Sequence, residues 1–297
     1  MKRDINDVKV FASCHNHSCF SDAEFTPEEL VALAKEQGHG GFILTDHDTV
    51  RGTYFTNKAA RKLGMKSVLG CEFTTYHKGR GVHFLGFDFN PDNKAMAELL
   101  AYGSGVQTSR SRVLFNWGLE RGSLRKGVTW QDVLDDHPYN DYICCDAVFT
   151  TMVKRGIYKV EEYDEFRMPN FSYKLGLEDA VYAETGKSYT TIATSDVVEI
   201  IKGAGGVPVV AHPHGQMKLT EDFLDMGVMG FETRFPGVTD EEFEYFENLC
   251  DEHGFYKMGG SDHSGVLGGI GADGPCTYER SGISEENFMA LFERKLG

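Results

Sequence analysis

The chain has 297 residues, of which 41% are hydrophobic and 25% are charged, and its formal net charge is −15. This composition is typical of a soluble globular protein, and no apolar run reaches the roughly 20 residues of a membrane-spanning helix. The acidic charge disfavours a non-specific nucleic-acid surface, because it repels a polyanion over long range. An odd number of cysteines without CxxC spacing and an N-terminus without an apolar core predict reduced thiols in a cytoplasmic protein.

The first third of the chain alternates predicted strands and helices. Thr26, Pro27 and Glu29 carry the signature of a capping box at a helix start. The hydrophobic pattern predicts strands at 8–12, 41–45, 67–73 and 81–89 and helices at 27–38 and 50–63. Strands and helices at this spacing indicate right-handed βαβ units and a parallel sheet, to which the segment 81–89 returns as a further strand.

The alternation stops at about residue 91 and resumes at about residue 192. Between these points the pattern predicts only short helices, at 110–121, 130–136, 146–156 and 178–185. After them it predicts helices at 196–202, 241–253 and 284–296 and strands at 207–212, 227–233 and 255–260. The sequence therefore predicts an α/β barrel made of residues 1–90 and 192–297, covered by a helical insertion of residues 91–191.

Nine potential metal ligands stand at or near predicted strand ends. They are His15, His17, Asp22, His47, Glu72, His83, His212, Asp262 and His263. In a parallel barrel the carboxyl ends of the strands meet on one face, where active sites are built. Nitrogen and oxygen donors without thiolate indicate Mn²⁺, Fe²⁺ or Zn²⁺, and nine donors suffice for two or three ions. Such ions clamp a phosphoryl group and lower the pKa of a bridging water.

Six short motifs follow one another along the chain. They are His15-x-His17, Thr45-Asp46-His47-Asp48-Thr49, Gly70-x-Glu72, His83-x-Leu85-Gly86, Ala211-His212-Pro213 and Gly260-Ser261-Asp262. Together, and in this order, they resemble the motifs of the PHP (polymerase and histidinol phosphatase) family of metal-dependent phosphoesterases. The long segment before Ala211 resembles the small-molecule phosphatase branch of that family. The resemblance implies a distorted (β/α)7 barrel with a helical insertion domain.

The resemblance also implies a site with three ions. By analogy, the first ion is held by His15, His17, Glu72 and Asp262, the second by Glu72, His83 and His212, and the third by Asp22, His47 and a last histidine. The family commonly has Ser-Asp-x-His where this chain has Ser261-Asp262-His263-Ser264. His263 is therefore expected either to be the last ligand or to donate a proton. Asp262 and His263 are the expected catalytic residues.

The function predicted from these observations is hydrolysis of a small phosphorylated metabolite, a nucleotide or nucleoside bisphosphate, by a metal-bridging hydroxide that attacks phosphorus. The alternative is a nuclease or exonuclease that acts on single-stranded ends, and the net charge and the lack of a Lys/Arg-rich stripe count against it. A third hypothesis is a non-catalytic scaffold that metal ions stabilise. The ligand set counts against it, because a structural role does not need several metal ions with open coordination positions. Hydrolysis of a C–N bond, the amidohydrolase reaction, is a further possibility on this barrel. Such sites often contain a carboxylated lysine, and no lysine in a corresponding position is evident in the sequence.

The substrate of such an enzyme needs cationic anchors beyond the metal ions. Candidates are Arg110, Arg112, Lys174 and Arg234. Arg234 follows a predicted strand end on the active face, where a guanidinium can bind phosphate through two parallel hydrogen bonds. The expected partner is thus a small phosphorylated substrate, with neither a membrane nor a nucleic acid.

Overall fold

The structure is a computed structural model that describes residues 4–262, 281–294 and 296. Its strands form a parallel pair and a five-stranded mixed sheet, so the fold is mixed α/β. The pair consists of β1 (Ala12–Ser13) and β2 (Gly41–Phe42). The larger sheet contains, in order, β3 (Gly70–His77), β4 (Arg80–Phe87), β5 (Val207–Val210), β6 (Gly230–Arg234) and β7 (Tyr256–Gly259).

Strand β4 reverses the chain direction within the larger sheet. It runs antiparallel to β3 and to β5, whereas β5, β6 and β7 are parallel to one another. The hairpin between β3 and β4 turns at Lys78 and Gly79, which both have positive φ angles, of 46° and 84°. Two consecutive positive φ angles suit a tight hairpin turn, so the chain returns along β3 as the sequence predicts.

Backbone hydrogen bonds join the two sheets on both sides. Cys14 N donates to Gly259 O at 3.0 Å, which links the end of β1 to β7. On the other side Glu72 N donates to Thr45 O at 3.2 Å, which links β3 to the segment after β2. These bonds place the ends of β1, β2, β3 and β7 beside one another. The closed (β/α)7 barrel stays a prediction.

Eleven α-helices lie within the described residues. They are α1 (Pro27–Glu36), α2 (Arg51–Lys62), α3 (Lys94–Arg121), α4 (Trp130–Asp136), α5 (Cys145–Lys154), α6 (Tyr163–Asn170), α7 (Glu178–Thr185), α8 (Thr194–Gly203), α9 (Thr220–Met226), α10 (Asp240–His253) and α11 (Glu285–Phe292). Helix α1 begins at the predicted capping box, with Glu29 N donating to Thr26 Oγ1 and Thr26 N donating to Glu29 Oε2. None of the described helices is long and apolar enough to cross a bilayer.

Helix α3 is much longer than the predicted segment 110–121. It contains 28 residues and continues through Gly103 and Gly105, which interrupt the hydrophobic pattern of the sequence. Gly103 lies against Asp48, and a Cβ atom there would be 2.5 Å from the Asp48 carboxylate. The glycine therefore lets the helix pass close to the loop that follows β2, which no local pattern indicates. Helices α6 and α9 were also not predicted.

The helices between β4 and β5 pack around a hydrophobic cluster of their own. Its buried members lie between residues 113 and 181 and include Leu114, Phe149 and Phe166. A separate cluster contains Leu85 of β4, Val209 of β5 and Ile43, which follows β2, together with Phe288 of α11. The division into residues 1–90 and 192–297 on one side and 91–191 on the other stays a prediction.

Candidate metal centre

Glu72 of β3 is the centre of a buried cluster of histidines. Its side chain has no exposed surface, and five imidazoles contact its two carboxylate oxygens. Oε2 lies 3.0 Å from His15 Nε2, 3.1 Å from His17 Nε2 and 3.4 Å from His47 Nε2. Oε1 lies 2.9 Å from His83 Nδ1 and 3.0 Å from His212 Nε2. The structure thus brings together six of the nine ligands proposed from the sequence.

The two aspartates of the predicted set flank His17. Asp262 Oδ1 lies 3.2 Å from His17 Nε2 and 3.4 Å from His15 Nε2. Asp22 Oδ1 lies 3.4 Å from His17 Nδ1, and its Oδ2 lies 3.7 Å from His47 Nε2. Both aspartates therefore belong to the cluster. His263, the ninth proposed ligand, lies outside the described residues, so its role as ligand or proton donor stays a prediction.

Strand ends with unusual backbone angles present several of these side chains. His212, which follows β5, has a φ of 23°, and Asp262, which follows β7, has a φ of 47°. Asp48, next to His47, has a φ of 50°. Positive φ angles are strained for residues other than glycine and cluster at functional sites, where the surrounding structure maintains them. This chain thus keeps backbone strain at the carboxyl ends of three strands.

The ligand atoms fall into two groups that could each hold an ion. The first group is His15, Glu72, His212 and Asp262, and the second is His17, His47 and Glu72; in each, all ligand atoms lie within 4.8 Å of one another. The resemblance assigned the ligands differently, because it placed His17 with Asp262 and His212 with His83. Glu72 belongs to both groups, which agrees with the bridging position implied for it.

The chemistry of these donors fits divalent transition-metal ions. Neighbouring imidazole rings of the cluster have centroids 4.6–5.5 Å apart. Packing them around one carboxylate turns one ring nitrogen of each toward a common centre. Imidazole and carboxylate donors in a closely packed site are the ligands that Mn²⁺, Fe²⁺ and Zn²⁺ prefer. The residues present therefore fit a metal centre, without specifying which metal or how many ions.

Electrostatics keep two of the carboxyl groups ionised. Burial alone would raise the pKa of Glu72, but the charge of His15 and its hydrogen bond hold that pKa well below its usual range. Burial likewise opposes ionisation of Asp262, yet the charge of His15 and the hydrogen bond from His17 lower its pKa. Both groups are therefore carboxylates at neutral pH, which is the state that binds a cation.

Asp22 and His47 have pKa values shifted by burial. Burial raises the pKa of Asp22 to about 7, although the neighbouring charge of His17 opposes the shift. Burial also lowers the pKa of His47 well below its ordinary value, despite the opposing charge of Glu72. His47 is thus a neutral imidazole with a free lone pair, and Asp22 releases its proton near neutral pH or when a cation binds.

Glu232 of β6 orients two members of the cluster. Its Oε2 lies 2.9 Å from His15 Nδ1 and accepts a hydrogen bond of 2.7 Å from the backbone N–H of His212. Carboxylates behind metal-ligating histidines fix the ring orientation and raise the basicity of the ligand. Sequence reasoning missed this residue, although its place near the end of a strand that leads to the site was a usable signal.

Asp46 and the α4–α5 loop hold the segment that carries Asp22. Asp46 accepts hydrogen bonds from Ser18 N, Ser18 Oγ and Ser21 Oγ at 2.6–2.7 Å. From the α4–α5 loop, Asn140 Nδ2 donates to Ser21 O, and the ring of Tyr142 stacks on His47 with centroids 4.8 Å apart. The loop between α4 and α5 therefore supports the Asp22–His47 side of the cluster.

A cleft of about 600 Å³ begins at His83 and runs away from the cluster. One wall comes from the β3–β4 hairpin and includes Arg80. The opposite wall comes from the region between β4 and β5 and includes Tyr173, Glu178 and Tyr189. A cavity of this size accommodates a ligand as large as a nucleotide.

None of the four predicted anchors lines this cleft, but Arg110 contacts two residues of its wall. The Arg110 guanidinium donates to Glu178 Oε1 at 2.9 Å and to Phe171 O at 3.1 Å, and it stacks over Tyr173 at 4.0 Å. Arg110 is 3% exposed, so it is not a solvated surface residue. Arg112 and Lys174 are exposed. Arg80, which lines the cleft, was not among the predicted anchors.

The structure does not support Arg234 as a substrate anchor. The residue is 2% exposed, its Nε donates to Gly282 O at 2.8 Å, and its Nη1 donates to Ile5 O. A register shift between Glu232 and Arg234 interrupts the regular alternation of β6 against β7. The prediction assumed that Arg234 would face the site from a regular strand end, and the guanidinium instead bonds buried carbonyl groups.

Comparisons with known proteins agree with this site. A model of the PHP domain matches residues 13–140. A 5'-3' exoribonuclease of Haemophilus influenzae is 27% identical over 84% of this chain and 88% of its own length. A phosphoribosyl 1,2-cyclic phosphate 1,2-diphosphodiesterase of Eggerthella lenta is 26% identical over 86% of this chain and 95% of its own length. A 3',5'-nucleoside bisphosphate phosphatase of Chromobacterium violaceum is 27% identical over 84% of this chain and 85% of its own length.

The fold also has a close counterpart among solved structures. A predicted metal-dependent phosphoesterase from Bifidobacterium adolescentis superimposes with a TM-score of 0.73 and 25% sequence identity, and the match covers 95% of this chain and 96% of that one. The relatives thus share a whole-chain architecture but act on different phosphate esters. The similarity alone therefore does not select a substrate.

Proposed function

We propose that this chain, whose residues 13–140 match a model of the PHP domain, is a phosphoesterase of that family and removes a terminal phosphate from a nucleotide or nucleoside bisphosphate. It is a metal-dependent phosphoric ester hydrolase. The observation that carries the proposal is the position of the cleft, which opens at His83 beside Glu72 and has room for one nucleotide.

We propose that two or three divalent ions bind around Glu72. His15, His212 and Asp262 would hold one ion with Glu72, and His17 and His47 would hold another, with Asp22 beside them. When bound, such ions neutralise phosphoryl oxygens and lower the pKa of a water molecule. Glu232 would keep His15 in the ligating orientation, because it occupies the other ring nitrogen.

The cleft supplies the groups that would recognise the rest of a nucleotide. Tyr173 is 52% exposed and has the Arg110 guanidinium 4.0 Å from its ring centroid. A nucleobase stacked on the open face of Tyr173 would extend this arrangement, because aromatic rings and guanidinium planes both stack on bases. Arg80, on the opposite wall, would attract a second phosphate. Lys174, which is exposed and follows Tyr173 in the chain, is a further candidate. Arg110 would then be a positioning residue for Tyr173.

A phosphate-release screen tests this proposal. Metal-stripped protein would be reloaded with Mn²⁺, Fe²⁺ or Zn²⁺ and assayed on nucleoside monophosphates, nucleoside 3',5'-bisphosphates, a cyclic phosphodiester and non-nucleotide phosphate esters. We expect the highest kcat/KM on the nucleotide monoesters, and a KM that rises several-fold in Tyr173→Ala. A higher kcat/KM on phosphate esters that lack a nucleobase, together with an unchanged KM in Tyr173→Ala, would show that the cleft does not recognise a nucleotide.

A further inference from the structure

One short segment of the chain supplies most of the cleft wall that faces the β3–β4 hairpin. Tyr173, Gly176, Glu178 and Asp179 all line the cleft. Tyr173 is the first residue of a short 3-10 helix that ends at Gly176, and Glu178 is the first residue of α7. Gly176 has a φ of 64°, a conformation that glycine adopts without steric cost. The turn at Gly176 therefore places an aromatic ring and the first turn of α7 on the same wall.

This wall carries two carboxylates, of which one is already bound. Glu178 Oε1 accepts a hydrogen bond of 2.9 Å from Arg110 Nε and lies 2.8 Å from Arg110 Nη2. Asp179 is the only other acidic residue among those that line the cleft. Within the described part of the chain, the exposed Asp179 carboxylate has neither a hydrogen bond nor an ion pair. The cleft thus presents one free carboxylate close to Tyr173 in the chain.

A free carboxylate needs an explanation in a cleft that leads to a phosphate-ester site. Its charge repels phosphate groups, whereas Arg80 on the opposite wall attracts them. An acidic residue in the first turn of a helix interacts favourably with the helix dipole, but that effect does not require the residue to face a cleft. An ionised carboxylate only accepts hydrogen bonds. Asp179 is therefore suited to a part of the substrate that is uncharged and donates hydrogen bonds.

The nucleobases differ in the donors that they offer to such a group. On its Watson–Crick edge guanine has two adjacent donors, N1–H and the N2 amino group. Adenine and cytosine each have one amino donor beside a ring nitrogen that accepts, and uracil has one N–H between two carbonyl groups. Proteins distinguish unpaired bases by hydrogen bonds to this edge. A carboxylate matches guanine through two parallel hydrogen bonds, whereas with the other bases one of its oxygens would face an acceptor.

We infer that Asp179 selects guanine, with the base stacked on the open face of Tyr173 and its N1–H and N2–H donating to the Asp179 carboxylate. Tyr173 is 52% exposed, and the Arg110 guanidinium covers its other face. On the opposite wall the glycines at 79 and 81 leave room for a purine, since a Cβ atom on either would meet no heavy atom closer than 4.0 Å. This inference rests on the proposed function and narrows it from nucleotides in general to guanine nucleotides.

Steady-state kinetics on four substrates test the inference. The metal-loaded protein would be assayed on the 5'-monophosphates of guanosine, inosine, adenosine and cytidine. These substrates carry the same phosphate, so repulsion by Asp179 and the contribution of the metal centre cancel in their ratios. We expect kcat/KM on the guanosine substrate to exceed that on adenosine and cytidine about tenfold or more, as bidentate base contacts do. The difference should fall on KM, because a base remote from phosphorus is bound equally in the ground and transition states.

Inosine separates the two hydrogen bonds. It keeps the N1–H of guanosine but lacks the N2 amino group, so its kcat/KM should lie between those of guanosine and adenosine. Stacking on Tyr173 alone would not produce this order, because inosine and guanosine share the same ring system. The position of inosine in the series therefore reports on the carboxylate.

Asp179→Asn should reverse the preference. A carboxamide offers one acceptor and one donor, which is the pattern that complements adenine. The ratio of kcat/KM on guanosine to that on adenosine should fall about tenfold or more, at unchanged kcat and metal content. Asp179→Ala should bring the four substrates close together. Glu184→Gln is the matched control, because it makes the same kind of change at an exposed residue of α7 that does not line the cleft, and it should keep the wild-type ratios.

The outcomes separate this inference from the proposed function. Equal kcat/KM on all four monophosphates, or a guanosine preference that Asp179→Asn leaves unchanged, would overturn the inference while hydrolysis of nucleotides still supports the proposed function. Hydrolysis restricted to phosphate esters that lack a nucleobase would overturn both. A guanosine preference that Asp179→Asn removes and Glu184→Gln keeps would support both.

Discussion

Replacing Glu72 by Gln is expected to abolish most of the turnover. The substitution keeps the shape of the side chain but removes the charge that five imidazoles surround at 2.9–3.4 Å. Glu72 belongs to both groups of candidate ligands. Loss of a residue behind a metal ligand costs about 10–100-fold in metal affinity or activity. A shared ligand that affects two ions should therefore cost roughly 10²–10⁴-fold in kcat/KM, or about 2.7–5.4 kcal/mol of transition-state stabilisation.

The assay pairs the metal content per chain, from elemental analysis, with phosphate release at saturating metal. Glu232→Gln is the matched control, because it changes the same functional group but affects only the orientation of His15 and the N–H of His212. That variant should retain metal at high concentration and lose about 10–100-fold in activity. A Glu72→Gln protein with normal metal content and near-normal kcat would show that the cluster is not the metal centre.

Three further perturbations test other parts of the account. Asp22 has an ordinary pKa of 3.8 that rises to about 7 in the folded chain, so its ionisation opposes folding increasingly between pH 4 and 7. Asp22→Asn should therefore raise the Tm of the metal-stripped protein at pH 8, have no such effect near pH 4, and reduce the metal content. Tyr142→Leu should lower metal affinity about 10–100-fold through the lost stack on His47, whereas Tyr142→Phe keeps the ring and should stay near wild type. Arg234→Ala should cost roughly 2–6 kcal/mol of unfolding free energy, because two buried carbonyls lose their donor; an unchanged denaturation midpoint with a raised KM would instead restore its predicted role as an anchor.

The metal ligands could be predicted because their positions follow a simple geometric rule. His15, His47 and His212 each stand just after a strand, and the structure brings all three within 3.4 Å of Glu72. The rule works for them because strand direction alone decides which end of a sheet a residue occupies. The order of the ligands around the ions could not be predicted, since it depends on ångström-scale placement of side chains.

The substrate-binding residues were harder to predict, because their environment depends on distant packing. Arg110 was predicted to be a substrate anchor at the start of a short helix, but α3 is long and buries this position against Phe171 and Glu178. Arg234 was misplaced because the register of β6 shifts just before it.

Titration of metal into the stripped protein tests the central claim most directly. Bound metal per chain and phosphate release from a nucleoside 3',5'-bisphosphate would be measured at each step in the wild-type protein. The account predicts that activity is absent without metal, rises with bound ions, and reaches its plateau at two or three ions per chain. Full activity in the stripped protein, or saturation of activity without bound metal, would contradict it.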